Sequence, residues 1–436
     1  MLRRKIYNYL LQWKDEQNKP CLLIQGARQV GKSTTIEQFC QENYDDYIMI
    51  DFELQPELRQ IFDGNLDITT LKSKLSLYFR DKNLNEGKFA LFLDEIQVCP
   101  NARTALKTFA IDGSIDVICS GSLLGLYYKE VSSYPVGYER IVDMFSLDFE
   151  EFLWANNVDA TIIEVARESF INKKPLDDFY IKILSDLFKH YTIVGGMPKV
   201  VMKYINTKDF NIVLQEQQAT INSYIIDILK YAPESMKQKI INTYNSIPSQ
   251  LGKKNKKFMY TKVDDEKDVG SRKYASALYW LVDAGLVNQA FNLTEPALPL
   301  MSNIITNSFK VYMRDTGLLM SMYEAGTAQA IINDDYQINE GAIIENICAQ
   351  EIFSRYKHLF YFEKKSKIEL DFIINKEGLV YAIETKSGKK VASPSLNRCR
   401  QEYPTISKAI KFELNTNVVI DDKGIEHYPL FMMMFI

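Results

Sequence analysis

Several residue types that would indicate particular functions are scarce in this sequence. Three histidines occur among 436 residues, and they stand far apart, at His190, His358 and His427. Zinc sites need clustered histidine and cysteine ligands, so the sequence predicts no zinc centre. The six cysteines show no close pairing, and Cys21 and Cys119 lie in apolar runs. We therefore expect small core thiols in a reducing compartment rather than disulfides.

Long hydrophobic runs are also missing. No apolar run approaches the roughly 18 residues that cross a bilayer. The basic residues 1–5 are followed by polar side chains that interrupt any signal-peptide core. The final apolar run, residues 430–436, is short and predicts a buried terminal strand. We expect a cytoplasmic protein with no membrane partner.

The sequence has no large excess of charge of one sign, since its formal net charge is −4. A chain of this kind has no global attraction to nucleic acid, so any such partner must meet a local patch. The 46% hydrophobic and 25% charged fractions are typical of a globular protein. The length exceeds what one core supports and predicts about two to four domains.

A glycine-cornered loop follows the apolar run Cys21–Ile24 and precedes a predicted helix. It has glycine, four residues, then Gly-Lys-Ser, which is the pattern of a P-loop. Backbone N–H groups of such a loop and the helix N-terminus bind phosphates. Lys32 is predicted to reach the β and γ phosphates of ATP, and the Ser33 hydroxyl to hold Mg²⁺. The predicted nucleotide-binding residues are Gly26, Ala27, Arg28, Gln29, Val30, Gly31, Lys32, Ser33 and Thr34.

A second apolar strand, residues 88–93, ends in two carboxylates. Asp94 is predicted to hold Mg²⁺, as in a Walker-B motif, and Glu95 to act as the general base for attack on the γ phosphate. A further strand ends at Ser120 and Ser122. Ser120 is the better candidate to orient the attacking water and Ser122 the other, although hydroxyls at strand ends also cap turns.

Strands that alternate with helices predict an α/β fold with a parallel sheet covered on both faces. With these motifs, the chain resembles the AAA+ ATPases, specifically a bacterial and archaeal family whose C-terminal part is domain of unknown function 4143. The matching stretches are 26–33, 91–95, 120–122, 137–140, 146–153, 195–198, 309–312 and 315–319. The resemblance implies a P-loop NTPase (AAA+) sheet followed by a helical lid.

The resemblance also implies an arginine finger supplied by a neighbouring subunit, and therefore a homo-oligomer. Arg140 is the candidate, because a guanidinium near the γ phosphate stabilises the charge of the transition state. The family has a shorter Gly-Arg pair where this chain has Gly137-Tyr138-Glu139-Arg140. Pairing of Arg140 with a surface carboxylate is the alternative, and Arg28 is a rival that would act in cis.

The predicted domains are the ATPase core at 1–150, a helical lid at 151–232, a module at 233–335 and a C-terminal domain at 336–436. Helices followed by strands make the third domain resemble a winged helix. Between its helices lies the basic stretch 253–258, with four lysines. This stretch is a candidate contact for a DNA or RNA backbone, although lysine runs are commonly solvated surface.

The C-terminal domain resembles the PD-(D/E)xK restriction-endonuclease-like fold, with Asp371, Glu384 and Lys386 as its core and Glu345 as the helical acid. Side chains alternate along a strand, so Glu384 and Lys386 point to one face. If Asp371 stands beside Glu384, the two carboxylates share a second Mg²⁺ or Mn²⁺, and Lys386 positions or activates water. Glu345 is a further candidate metal ligand. The alternative is a degenerate copy used for scaffolding.

Two functions therefore compete on the sequence. The first is Mg²⁺-dependent ATP hydrolysis coupled to a nuclease-like domain that binds or cleaves nucleic acid. The second is a nucleotide-controlled switch or scaffold whose C-terminal domain binds protein and cleaves nothing. They differ in whether Asp371, Glu384 and Lys386 act together with a metal ion.

Overall fold

The structure is a computed structural model with two compact units. It describes residues 2–84, 87–123, 135–264, 271–324, 326–333, 340–364, 368–387, 393–414 and 416–436. The first unit comprises Met1–Ser146 with Asp283–Gly285, and the second comprises Leu147–Val282 with Leu286–Ile436. The predicted boundary between residues 335 and 336 lies outside the described residues, and the four predicted domains stay a prediction.

A five-stranded sheet forms the centre of the first unit. Its strands are β1 (Cys21–Gly26), β2 (Asp46–Asp51), β3 (Phe89–Asp94), β4 (Asp116–Ser122) and β5 (Glu139–Asp143). The order is β2-β3-β4-β1-β5, and all four neighbouring pairs are parallel. The predicted α/β fold with a parallel sheet is therefore confirmed.

Both faces of this sheet are buried. Along β1, Leu23 belongs to one hydrophobic cluster, whereas Leu22 and Ile24 belong to another, as the alternation of a strand requires. Full burial of each such side chain stabilises the fold by about 1.5–3 kcal/mol. The covering elements are helices Lys5–Asp15, Lys32–Asn43, Ile68–Tyr78 and Pro100–Asp112, with 3₁₀ turns at Pro56–Phe62 and Ile96–Val98.

The second unit contains a mixed sheet of eight strands. They are β6 (Val287–Leu293), β7 (Ile304–Met313), β8 (Leu359–Lys364), β9 (Ile368–Lys376), β10 (Leu379–Lys386), β11 (Ile406–Glu413), β12 (Val419–Ile420) and β13 (Glu426–Pro429). The order is β12-β13-β11-β10-β9-β8-β6-β7. Strand β6 pairs antiparallel with β7 and parallel with β8. The hairpin of β6 and β7 is thus continuous with the C-terminal strands.

Helices form most of the chain between β5 and β6, and further helices lie between the later strands in the sequence. From residue 147 onward the helices are Phe149–Ala155, Ala160–Asn172, Asp178–Val194, Pro198–Thr207, Phe210–Tyr231, Lys237–Leu251, Ser271–Asp283, Thr316–Met320, Thr327–Ile332, Glu340–Tyr356 and Pro394–Glu402. Shorter 3₁₀ turns occupy Tyr260–Lys262, Leu300–Asn303 and Leu430–Phe435.

The last of these turns corrects a prediction. Residues 430–436 were expected to form a strand, but Leu430–Phe435 is a 3₁₀ turn, so the prediction is wrong. The run is buried, as expected, except for the half-buried Phe435. A short apolar run does not distinguish a buried strand from a buried helical turn, because neither leaves a polar face to set the period.

The composition led to expectations about the cysteines and about long apolar segments. All six cysteines are buried and free of disulfides, which confirms their interpretation as core residues. Within the described ranges, none of the helices has both the length and the apolar character that crossing a bilayer requires.

Two glycine-containing turns of the second unit meet backbone to backbone. The Gly196 N–H donates to Asp315 Oδ2 at 2.9 Å. A Cβ atom on Gly317 would lie 2.3 Å from the Val194 carbonyl oxygen, and one on Gly196 would lie 2.0 Å from the Leu147 oxygen. Both positions therefore need glycine because a neighbouring backbone occupies the space of a side chain.

We expect Gly317→Ala to destabilise the second unit by about 1–3 kcal/mol, because the new methyl group overlaps a backbone oxygen that cannot move freely. Gly252→Ala is the matched control. Gly252 has helical φ and ψ of −67° and −11°, and its Cβ would meet atoms only at ordinary contact distance. We expect this control to be neutral or stabilising by about 0.4–1 kcal/mol. Denaturant unfolding followed by circular dichroism measures both; equal stability of the two variants contradicts the packing argument.

Candidate functional site

The predicted P-loop joins β1 to the helix that begins at Lys32. Gly31 precedes that helix with φ 92°, and Gln29 also has a positive φ of 65°. A Cβ atom on Gly26 would lie 2.2 Å from the Met144 carbonyl oxygen, so this corner has no room for a side chain. Left-handed residues within a loop turn successive N–H groups toward one side, which is the backbone arrangement that binds phosphate.

Lys32 is the first residue of the helix after this loop, and it is 5% exposed. Its Nζ donates to the carbonyl oxygens of Gly26 at 3.1 Å and Ala27 at 2.9 Å. Burial lowers the pKa of Lys32 to about 8, and the charges of Glu95 and Asp94 oppose that shift. An adjacent phosphate would likewise favour the protonated ammonium. The next residue, Ser33, lies in the first turn of the helix and is half-buried.

Asp94 is the last residue of β3 and Glu95 follows it, at the same edge of the sheet as the P-loop. Asp94 is buried and pairs in register with Asp51 of β2. The Ser120 hydroxyl donates to Asp94 Oδ1, and the Glu95 N–H approaches Ser120 Oγ at 3.5 Å. Glu95 has φ 51° and ψ 47°, a left-handed conformation that is uncommon for a non-glycine residue.

Gln97 is a neighbour of Glu95 that the sequence analysis missed. Its side-chain Nε2 donates to Glu95 Oε2 and lies 3.3 Å from Ser122 Oγ. Burial raises the pKa of Glu95, whereas the hydrogen bond from Gln97 and the charge of Lys32 lower it. Gln97 therefore keeps Glu95 ionised more than burial alone would allow. The only signal in the sequence was a glutamine two residues after Glu95.

These residues form one site within the first unit. Lys32, Asp94 and Glu95 interact electrostatically, so the ends of β1 and β3 place them near one another. The loop fits a triphosphate, because it combines a glycine corner with a buried ammonium group. Ser33 and Asp94 supply oxygen donors of the kind that Mg²⁺ prefers. Of the predicted serines, Ser120 contacts Asp94 and Ser122 contacts Gln97.

Arg140 lies elsewhere on the sheet. It is opposite Leu22 in the β1–β5 register, near the starts of both strands, whereas the P-loop follows their far ends. Its Nη1 lies 2.7 Å from Glu16 Oε1, a partner not considered in the sequence analysis. The rival Arg28 lies 3.9 Å from Glu53 and close enough to Lys32 to affect its pKa.

The four predicted C-terminal residues lie in the second unit. Glu345 is buried, and its carboxylate accepts hydrogen bonds from Lys310, Lys256 and Tyr312. Burial opposes ionisation of Glu345, but the two ammonium groups outweigh it and lower the pKa to about 2. The structure thus gives the helical acid partners that the sequence did not indicate.

Asp371 and Glu384 have different partners. Asp371 Oδ2 accepts from the Thr385 N–H at 2.8 Å and the Thr385 hydroxyl at 2.9 Å. Glu384 Oε1 lies 2.7 Å from Lys386 Nζ. Burial raises the pKa of Glu384, and Asp371 adds to the rise while Lys386 opposes it. In the part of the chain that the structure describes, no group of three or more His, Cys, Asp or Glu side chains is arranged to hold a metal ion.

The predicted basic stretch 253–258 is divided between two environments. Lys253 and Lys254 are exposed. Lys256 donates to Glu345, and Lys257 lies 2.9 Å from Glu363. Half of the lysines predicted to meet a phosphate backbone therefore form ion pairs within the unit.

Family models match three parts of the chain. Residues 18–153 match an AAA domain. Residues 185–329 match domain of unknown function 8612, and residues 340–429 match domain of unknown function 4143. The predicted AAA domain and the predicted domain of unknown function 4143 are thereby confirmed, whereas the endonuclease-like fold of the latter stays a prediction. The AAA domain contains the P-loop and both carboxylates of the site.

Curated relatives match less than half of the chain. An uncharacterized protein of Methanocaldococcus jannaschii is 27% identical over 201 residues, which are 46% of this chain and 40% of the relative. An uncharacterized protein of Haemophilus influenzae is 23% identical over 206 residues, 46% of this chain and 45% of the relative. The chain thus spans less than half the length of either relative.

Solved structures that resemble the chain do so weakly overall. The Thermotoga maritima RuvB Holliday junction branch migration motor gives a TM-score of 0.31 at 12% identity, covering 66% of this chain and 89% of that chain. The Aeropyrum pernix ORC1 protein in complex with DNA gives 0.30 at 9% identity, covering 77% and 93%. AMPPCP-bound DnaA from Aquifex aeolicus gives 0.29 at 12% identity, covering 77% and 90%.

Removing the Gln97 amide should raise the pKa of Glu95, because one hydrogen bond to its ionised form is lost. If Glu95 is the base of the AAA domain, activity needs its deprotonated form, so the acid limb of the kcat profile should move to higher pH. We expect Gln97→Leu to shift it by about one pH unit. The matched control is Gln38→Leu, since Gln38 donates to Glu42 on the surface of the same unit at 2.8 Å. A lower kcat with an unmoved profile contradicts this role.

Proposed function

We propose that the chain binds ATP with Mg²⁺ at the P-loop and hydrolyses the γ phosphate. The main support for the proposal is the buried ammonium of Lys32, which interacts with Asp94 at the end of β3 and with Glu95 directly after it. The match of residues 18–153 to an AAA domain supports the same function. A site that only bound nucleotide would have no need for a second carboxylate in a left-handed turn.

Each residue of the site then has a defined role in ATP binding or hydrolysis. Backbone N–H groups of residues 26–34 bind the phosphates, and Lys32 leaves its carbonyl partners for the β and γ phosphates. Ser33 and Asp94 hold Mg²⁺, which neutralises charge on the phosphate oxygens. Glu95 accepts the proton of the attacking water, and Gln97 orients its carboxylate. Ser120 fixes Asp94 by its hydroxyl group.

We propose that the C-terminal part serves as an interaction module under nucleotide control. The lysine partners of Glu345 favour this function over phosphodiester cleavage, since they occupy the carboxylate that a nuclease would use. The winged-helix-like and restriction-endonuclease-like interpretations stay predictions, as does a cytoplasmic location. DNA or RNA remains a candidate partner through the exposed Lys253 and Lys254.

The first test separates binding from turnover. We expect Lys32→Ala to weaken ATP binding by about 10–100-fold, because a charged contact with the phosphates is lost. We expect Glu95→Gln to bind ATP normally and to lower kcat by about 10²–10⁴-fold, because its amide cannot accept the proton. Calorimetry and phosphate release measure the two effects.

The matched controls for these variants are Lys88→Ala and Glu57→Gln, which change exposed residues of the same unit. Both should bind and hydrolyse ATP as the unchanged protein does. Wild-type turnover by Glu95→Gln would remove Glu95 from the mechanism, whereas wild-type affinity of Lys32→Ala would remove the P-loop from ATP binding.

The second test concerns Arg140 and association. We propose that hydrolysis needs a homo-oligomer in which Arg140 of one copy reaches the site of another. Turnover per molecule should then rise with protein concentration, and Arg140→Ala should lower kcat by about 10³-fold with little change in ATP affinity. Glu16→Gln is the control, because it removes the negative charge of the observed partner and keeps the guanidinium. Equal losses in the two variants would assign Arg140 a structural role instead.

A further inference from the structure

Lys310 is a fully buried lysine of the second unit. It lies on β7, and its side chain is 0% exposed. Its Nζ lies 2.7 Å from Glu345 Oε1, 3.6 Å from Glu369 Oε1 and 5.0 Å from the centre of the Tyr361 ring. Burial of an ammonium group is costly unless negative charge surrounds it, so these contacts are what keep Lys310 charged.

Lys256 is the second cationic donor to the Glu345 carboxylate. Its Nζ donates to Glu345 Oε2 and lies 3.3 Å from the Gly341 carbonyl oxygen. Tyr312 also donates its hydroxyl to Glu345 Oε1. Both oxygens of the carboxylate thus accept hydrogen bonds from protein donors, two of them cationic.

Asp371 and Glu384 each have one carboxylate oxygen that already pairs with a protein donor. One oxygen of Asp371 accepts two hydrogen bonds from Thr385, and one oxygen of Glu384 pairs with Lys386. Within the described residues, Glu384 Oε2 is buried and has no hydrogen bond of good geometry, although the nearby Ser393 side chain lowers the pKa of Glu384. Mg²⁺ and Mn²⁺ need oxygen ligands that are open to the ion, and both oxygens of Glu345 already accept hydrogen bonds from protein donors. The residues present therefore do not fit a divalent ion held with the help of Glu345.

We propose that the ammonium groups of Lys310 and Lys256 take the place of a metal ion in this carboxylate cluster, so that the C-terminal unit is complete without a divalent cation. Clustered carboxylates repel one another, and a cation of either kind relieves that repulsion. A divalent ion bound beside Lys310 would instead be repelled by its charge. This inference concerns the second unit and does not depend on ATP hydrolysis.

The experiment is a Mn²⁺ titration of the nucleotide-free, full-length protein, with free Mn²⁺ measured by electron paramagnetic resonance. We expect the unchanged protein to bind no Mn²⁺ at micromolar concentration. We expect Lys310→Met to bind one Mn²⁺ at least about tenfold more tightly, because the cluster loses its internal cation and a similar chain length is kept. Mn²⁺ should also raise the melting temperature of Lys310→Met and leave that of the unchanged protein unaltered.

Two further variants locate any site that appears. Asp371→Asn added to Lys310→Met should abolish the new Mn²⁺ binding. Lys173→Met is the matched control, because it removes a lysine paired with Glu426 at 2.6 Å elsewhere in the unit, and it should create no such dependence on Asp371.

Two results would overturn the proposal. One is micromolar Mn²⁺ binding by the unchanged protein that Asp371→Asn or Glu384→Gln removes. The other is a folded Lys310→Met variant that binds no more Mn²⁺ than the unchanged protein. If Lys310→Met does not fold, the titration of the unchanged protein decides by itself, together with Asp371→Asn.

Discussion

The parallel register of β1, β3 and β4 is the constraint on which the nucleotide site depends. Strands that run in the same direction end at the same edge, so residues that follow them are brought together although they are distant in sequence. Gly26 stands opposite Ser122, and Asp94 follows Leu93, which is paired with Cys119. A shift of one residue in any of these strands would separate the P-loop lysine from the carboxylates and exchange the two buried faces of the sheet.

The sequence predicts those features that depend on neighbouring residues in the chain, and it fails for contacts between distant segments. The P-loop strand and helix, the paired carboxylates and the strands of Asp371 and Glu384 all rest on short patterns, and the structure has strands or helices at these places. Gln97 lies just outside the motif and was missed because its role comes from Ser122 on another strand. Glu16, the partner of Arg140, could not be foreseen because the pairing joins β5 to the end of a separate helix.

Lys310 shows a different limit. A lysine between two apolar residues of a strand, here Phe309 and Val311, has no local pattern that distinguishes a buried ion pair from an exposed side chain. Its partner Glu345 was identified by its position on a helix, but the choice between a metal and an ammonium group as counter-charge depends on which side chains converge in three dimensions. Buried ion pairs of this kind carry large desolvation costs and seldom add much net stability. However, a buried ion pair strongly disfavours any alternative conformation in which one of the two charges stays buried without its partner.

The pairing of β6 with β8 determines how the chain can be divided. Strand β8 pairs with β9 on one side and with β6 on the other. A fragment that began after residue 335 would lack β6 and β7, and the backbone groups of β8 on that side would lose their partners. Open strand edges recruit strands from other molecules. In a gene fusion or a recombination between related genes, the C-terminal strands would therefore need to travel with the hairpin that precedes them.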